Sequence, residues 1–241
     1  STGTPKGVTL THANLMANLR AIAKGLALGP KDVCVTWLPL YHDLGLIGTW
    51  LGAMYAGIPT HILSPMAFLS RPQRWLWAIH QHRATVTAAP NFAYGLCAAK
   101  LPERALDGLD LSCMRVALNG AEPISPDVLR RFCERMGKHG FRREAMFPAY
   151  GLAENSVALT FPPPGRAPRL DRVRRTEFVE SARAVAAEAG DAGAMEFVSV
   201  GTAVLGAELR VVDEQDQSVG ERAVGRIQFR GASATGDLEG G

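Results

Sequence analysis

The residues with the most chemical potential open the chain: Ser1-Thr2-Gly3-Thr4-Pro5-Lys6-Gly7-Val8. Small residues leave backbone N–H groups open, hydroxyls add donors, Pro5 stiffens the turn and Lys6 supplies a cation. Clustered donors in a turn make an anion-binding concavity, so this stretch suits a polyphosphate. An exposed Gly/Thr turn is the plainer reading. The G-x-x-x-x-G-K-[ST] spacing of a Walker A loop is absent.

Three further polar stretches bear on that choice. Tyr41-His42-Asp43 follows an apolar run, and its imidazole reads either as a pocket wall near a carboxylate or phosphate or as a satisfied loop corner. A His42–Asp43 dyad is not expected, because adjacent side chains rarely bond usefully to each other. Asn119-Gly120-Ala121-Glu122 offers small residues and amides against which a planar base can lie. Tyr150 can stack on such a base, and Gly151 permits a close turn. Glu154 reads equally as a helix cap or as a magnesium ligand, since magnesium favours one or two carboxylates plus substrate phosphates.

These stretches need elements to position them. Thr11 caps a helix expected over 12–24, with Leu15, Leu19 and Ile22 on one face. A buried strand is expected at 33–37 and a Gly-rich apolar helix at 45–56. Gly45, Gly48 and Gly52 in that helix mark close approach by a backbone or ligand, or tight helix packing. Strands at 60–63, 85–88, 114–118 and 145–147 alternate with helices at 71–82, 92–100 and from Ser125-Pro126 to about 136. That alternation predicts an α/β fold, a parallel sheet with helices on both faces. The polar stretches follow its strands, and ligands of open parallel sheets sit outside the carboxyl ends of the strands. Beyond Phe161-Pro162-Pro163-Pro164-Gly165 the pattern breaks. Strands at 197–200, 207–212 and 226–230 without intervening helices predict a small mostly-β, barrel-like subdomain.

Bulk properties exclude several classes. The 241 residues are 47% hydrophobic and 20% charged, with a net charge of +3. Such a charge does not argue for nucleic acid, and the arginines at 166, 169, 172, 174 and 175 lack interleaved aromatics, which suits a solvated loop. No apolar run is long enough to span a membrane. Cys34, Cys97, Cys113 and Cys133 form no metal or disulfide pattern, and reduced buried thiols in a cytoplasmic protein are expected.

Ser1–Val8, the run Tyr41-His42-Asp43-Leu44-Gly45-Leu46-Ile47-Gly48, Asn119-Gly120-Ala121-Glu122-Pro123 and Tyr150-Gly151-Leu152-Ala153-Glu154 resemble four successive motifs of the adenylate-forming superfamily of acyl and aryl ligases, luciferases and adenylation domains. Leu38-Pro39-Leu40 and Pro90-Asn91-Phe92-Ala93-Tyr94 are similar to the fatty acyl-AMP ligase branch. The resemblance implies ATP and Mg2+ as cofactors, a fatty acid substrate and an acyl carrier protein of a polyketide or nonribosomal synthase as partner. By position it implies that Thr2, Gly3, Thr4 and Lys6 hold the β- and γ-phosphates and that His42 lines the site beside the reacting carboxylate. It puts Asn119, Gly120, Ala121, Glu122, Tyr150 and Gly151 around adenine, and Glu154 on magnesium. The helix at 45–57 would line an acyl tunnel. Thr235-Gly236-Asp237 resembles the motif whose aspartate binds ribose, but it follows Phe229-Arg230-Gly231 at far shorter spacing than the family has. Either a loop has been lost or the match is accidental.

The chain is therefore expected to be a central fragment of such a ligase, of low or no activity alone. Residues 1–160 would form the nucleotide- and acyl-binding core, 161–196 a loop and family-specific insertion, and 197–241 a truncated β subdomain. An acyl-CoA ligase of the same superfamily and a non-catalytic degenerate module are the alternatives.

Overall fold

The computed structural model describes residues 7–236, 238 and 239. Its centre is a five-stranded parallel sheet formed by β2 (Cys34–Thr36), β3 (Thr60–Ile62), β4 (Val86–Ala89), β5 (Val116–Asn119) and β6 (Met146–Pro148), while β1 (Gly7–Val8) lies outside it. The spatial order is β3-β2-β4-β5-β6, so the chain steps one way from β2 to β3 and then reverses. Parallel crossovers are right-handed, so a reversal of direction moves the connecting helix to the other face. The β2-to-β3 crossover, a π-helix (Leu44–Leu51) running into α2 (Gly52–Ala56), accordingly packs with α1 (His12–Gly25) on one face. The later crossovers carry α3 (Pro65–Ser70), α4 (Gln73–Gln81), α5 (Asn91–Lys100) and α6 (Pro126–Gly137), of which α4, α5 and α6 cover the other face.

Caps set the helix starts. The Thr11 hydroxyl accepts from Asn14 N–H, and the Asn14 carboxamide accepts from Thr11 N–H, a reciprocal capping box. Ser125 and Ser64 each cap a helix that begins with proline. The second of these, α3, is absent from the sequence expectation, which runs one helix from 71; Pro72 instead stands before α4 as its cap.

The glycine-rich crossover is a π-helix where a plain helix is expected. Thr49 Oγ1 donates to the Gly45 carbonyl at 2.7 Å, occupying the acceptor that an α-helix would give to Thr49 N–H. Side-chain capture of that kind loosens the ladder, and π turns concentrate at functional sites. A Cβ on Gly45 would lie 2.2 Å from the Pro39 carbonyl oxygen, so that glycine answers a close backbone approach. Gly48 instead faces the cavity described below.

The second face holds an aromatic core. Phe68 stacks on Trp37 at 3.9 Å, and Trp75 meets both rings edge-on. Their polar tips are largely satisfied: Trp75 Nε1 donates to Thr87 Oγ1 at 2.9 Å, and Tyr94 Oη to the Leu118 carbonyl at 2.8 Å. Arg135 on α6 donates to the Cys97, Ala98 and Leu101 carbonyls that end α5, which joins the two helices.

Beyond β6 the chain makes short antiparallel ribbons: β7 (Tyr150–Gly151) with β8 (Ala158–Phe161) and β11 (Thr202–Ala203), β9 (Leu170–Val173) with β10 (Met195–Val198), β12 (Ala207–Val212) with β13 (Arg226–Gly231), and β14 (Leu238–Glu239) with β1. The segment 161–196, expected as a loop and family-specific insertion, contains β9 and the helix α7 (Arg175–Ser181). Its arginines are not merely solvated: Arg172 pairs with Glu196, and Arg174 with Glu177 and Glu188. All four cysteines are free thiols, and burial pushes Cys34 and Cys97 up to about 12. Among the described residues no helix is long and apolar enough to cross a membrane.

Candidate active site

The reversal between β2 and β4 opens a crevice at the carboxyl ends of those strands. A cavity of about 1000 Å³, open mouth included, runs from it down between the sheet and the α1/π-helix layer. His42, Gly120, Ala121, Tyr150 and Gly151 line it together, so five of the residues singled out by sequence share one wall.

Local structure explains their placement. β5 ends at Asn119, and the chain turns at once through Gly120, where a Cβ would meet the Ala149 carbonyl oxygen at 2.9 Å. Ala121 takes φ +67°, a left-handed conformation that costs an alanine roughly 1–2 kcal/mol and belongs to strained functional loops. Gly151 is dictated more strongly still, since a Cβ there would sit 1.8 Å from the Val157 carbonyl oxygen across a β-bulge.

His42 is half exposed at the mouth, and its Nδ1 lies 2.8 Å from Asp43 Oδ1. The neighbours are in contact, with Leu44 N–H donating to both of these atoms. Asp43 has helical φ −54°, ψ −43° as the π-helix cap, which folds its carboxylate back over its own turn, 2.7 Å from Leu44 N–H, and under the imidazole. Leu44 N–H donates to that same Nδ1 at 3.2 Å, and Nε2 makes no hydrogen bond among the described residues. Sequence reasoning set the pair aside as a dyad, and the structure places Asp43 on the cavity wall beside His42.

Other expected residues stand apart from the cavity wall. Asn119 is fully buried, with Nδ2 3.5 Å from Asn91 Oδ1 and its own Oδ1 unpartnered. The Glu122 carboxylate accepts from Phe92 N–H at 2.5 Å and so caps α5, whose Pro90 offers no side-chain cap. Glu122→Ala is therefore expected to cost about 1 kcal/mol in urea unfolding while adenylate-mimic binding is unchanged. A loss of binding at constant stability would instead make it a ligand contact.

Glu154 sits half-buried on a 3-10 turn (Ala153–Asn155), and its carboxylate makes no hydrogen bond or ion pair among the described residues. It caps nothing, which removes one of its two sequence readings. A lone, part-buried carboxylate fits the donor set magnesium prefers when substrate phosphates complete the shell. Its backbone carbonyl accepts from Thr235 N–H at 2.8 Å. Asn14 Nδ2 holds the Ala232 and Ala234 carbonyls, and Ser156 Oγ the Ser233 carbonyl, so residues 232–235 are pinned beside Glu154. Thr2, Gly3, Thr4, Lys6 and Asp237 lie outside the described residues.

A parallel sheet with this crevice, walled by Gly120, Ala121 and Tyr150 at its strand ends, is the architecture of an adenylate-forming enzyme. The AMP-binding enzyme family matches residues 1–236, and the chain belongs to that family. It is 41% identical over 160 residues to the medium-chain-fatty-acid–[acyl-carrier-protein] ligase TtuA of Teredinibacter turnerae, a match covering 66% of this chain and 25% of TtuA. It is 35% identical to the long-chain-fatty-acid–AMP ligase FadD32 of Mycolicibacterium smegmatis, over 96% of this chain and 37% of FadD32. A solved structure from work on fatty acyl-adenylate ligases of E. coli and L. pneumophila superposes with a TM-score of 0.95 at 38% identity, covering 98% of this chain and 43% of that one. The chain thus spans less than half the length of these relatives.

Proposed function

We propose that the protein to which this chain contributes activates a fatty acid as its acyl-adenylate. A carboxylate oxygen attacks the α-phosphorus of ATP, forming the acyl–phosphate bond as the bond to the leaving pyrophosphate breaks. No proton is consumed, so the protein's task is alignment and charge neutralisation more than covalent help. The single observation carrying this reading is the cavity itself: an apolar shaft whose mouth is ringed by His42, the Gly120-Ala121 turn and Tyr150.

Tyr150 stacks on adenine, with Gly120, Ala121, Gly151 and the backbone of Asn119 and Glu122 around its edge. His42, beside Asp43, turns Nε2 toward the reacting carboxylate. Thr2, Gly3, Thr4 and Lys6 hold the β- and γ-phosphates, and Asp237 meets the ribose. Glu154 would hold magnesium, which supplies neutralisation of phosphate charge when bound. An acyl carrier protein is the proposed acceptor, in keeping with the name of TtuA, and a cytoplasmic setting follows from ATP and carrier use.

The test is urea unfolding of the full chain with ATP–magnesium and with a non-hydrolysable acyl-adenylate mimic. Binding only to the folded state stabilises it by about 2.7 kcal/mol at one hundred times Kd. Tyr150→Ala is expected to weaken the mimic about tenfold, within the 1–3 kcal/mol that stacking on a base contributes. A cooperatively folded chain that responds to neither ligand would sink the reading for this chain.

A further inference from the structure

The relatives' names span medium and long chains, which leaves the acyl length open. Resting on the ligase reading above, we infer that Cys34, Ala53 and Ile58 form the floor of the shaft and confine it to acids of about ten carbons. The three are buried and pack together as a small cluster of their own, with Leu28 and Ala56 packed against it. All three also line the cavity, at the end away from His42 and Gly120.

Strand register gives the depth, and the crossover helix bounds it from above. Strand register puts Cys34 level with Val86 and Val86 level with Val116. Gly120 stands four residues beyond Val116, which at 3.3 Å per residue is about 13 Å. On the opposite wall the crossover helix descends from Leu44 at the mouth to Ala53 at the floor. Nine residues of α-helix would rise about 13 Å, and the π form of Leu44–Leu51 rises less per residue, so this wall spans no more than the strand ruler gives. A zig-zag of 1.52 Å carbon–carbon bonds advances roughly 1.25 Å per bond, so about ten carbons fill the shaft from a carboxylate at the His42 level.

The floor is built of replaceable volume. Ala53→Leu adds carbons at the bottom and should shorten the preferred acid, whereas Ile58→Ala opens space and should lengthen it. The two changes push in opposite directions, so a general loss of folding in one cannot imitate the paired result.

The experiment is calorimetric binding of hexanoyl, octanoyl, decanoyl, dodecanoyl, tetradecanoyl and hexadecanoyl sulfamoyl-adenosines, and of the corresponding free acids, to the full chain. Affinity should climb about fourfold per methylene to an optimum near decanoyl and then fall. Ala53→Leu should move the optimum toward octanoyl or hexanoyl, and Ile58→Ala toward dodecanoyl or tetradecanoyl. An optimum that stays put in both variants, or hexadecanoyl bound as tightly as decanoyl, overturns the floor while adenylate binding leaves the ligase reading standing. Free acids that sort by length while no adenylate outbinds its acid would keep the floor and remove the ligase reading.

Discussion

Replacing Arg115 with alanine is expected to lower the unfolding free energy by about 2 kcal/mol, within the range for hydrogen bonds to a charged group in a part-buried pair. The guanidinium stands just before β5 and donates to Asp32 through both Nε and Nη2, at 3.1 and 2.8 Å. It also takes the Leu26 carbonyl at 2.7 Å, at the end of α1. Asp32 in turn accepts from Thr85 Oγ1 and from Gly29 N–H, so one carboxylate ties the approaches to β2, β4 and β5. Burial pushes the Asp32 carboxyl up, but the bonds from Arg115, Thr85 and Gly29 outweigh it and hold the group below its ordinary value. A carboxyl lowered in the folded state contributes stability that is complete above its unfolded pKa, about 3.9, and is lost as pH falls through the folded value. The difference between wild type and Arg115→Ala in urea should therefore be constant from neutral pH down to about 5 and shrink below about 4. A loss no larger than about 1 kcal/mol, the worth of a surface pair, would remove the network from the fold's main supports. Leu26, Leu28 and Cys34 adjoin the same network and line the cavity, so the variant should also blur chain-length preference.

Where elements announce themselves by period and cap, the sequence was readable. Thr11 and Ser125-Pro126 mark helix starts that the structure reproduces, and strand–helix alternation yields the parallel sheet. Ser64-Pro65 carries the same signature as Ser125-Pro126, and α3 went unread because the tryptophans of the next helix dominate that stretch. The π form of 44–51 was not legible from apolar periodicity, because it depends on one hydroxyl choosing a carbonyl. In 161–196 the order comes from ion pairs such as Arg130 with Glu196, which link β10 to α6 across a sequence gap no local pattern can report.

The site divides in the same way. Gly45, read as a position of close approach, and Gly151, read as a close turn, are both forced by neighbouring backbone, because only the absence of a side chain permits them. Side-chain partnerships were harder. Asp43 was set aside because adjacent side chains rarely bond usefully, yet a helical φ/ψ at the π-helix cap brings its carboxylate within 2.8 Å of His42 Nδ1. Glu122 was placed with adenine by its motif, whereas its carboxylate reaches a helix start distant in sequence.

Glu154→Gln is the substitution expected to cut ligand binding most while sparing the fold. The carboxylate has no partner among the described residues, so its amide isostere removes no internal bond. Ligand-free stability should therefore stay within about 0.5 kcal/mol of wild type, as for changes away from any network. With ATP–magnesium at one hundred times the wild-type Kd, a hundredfold loss of affinity would reduce the stabilisation from about 2.7 to about 0.4 kcal/mol. Removing magnesium with a chelator should bring wild type to the same small value and leave the variant unmoved. That equality is what separates a metal ligand from a merely electrostatic neighbour. A carboxylate that only repels the phosphates would, on neutralisation, strengthen nucleotide binding with or without the metal. Should Glu154→Gln retain the full magnesium-dependent stabilisation, the metal is held elsewhere and Glu154 loses its proposed role, while Tyr150 and the cavity wall keep theirs.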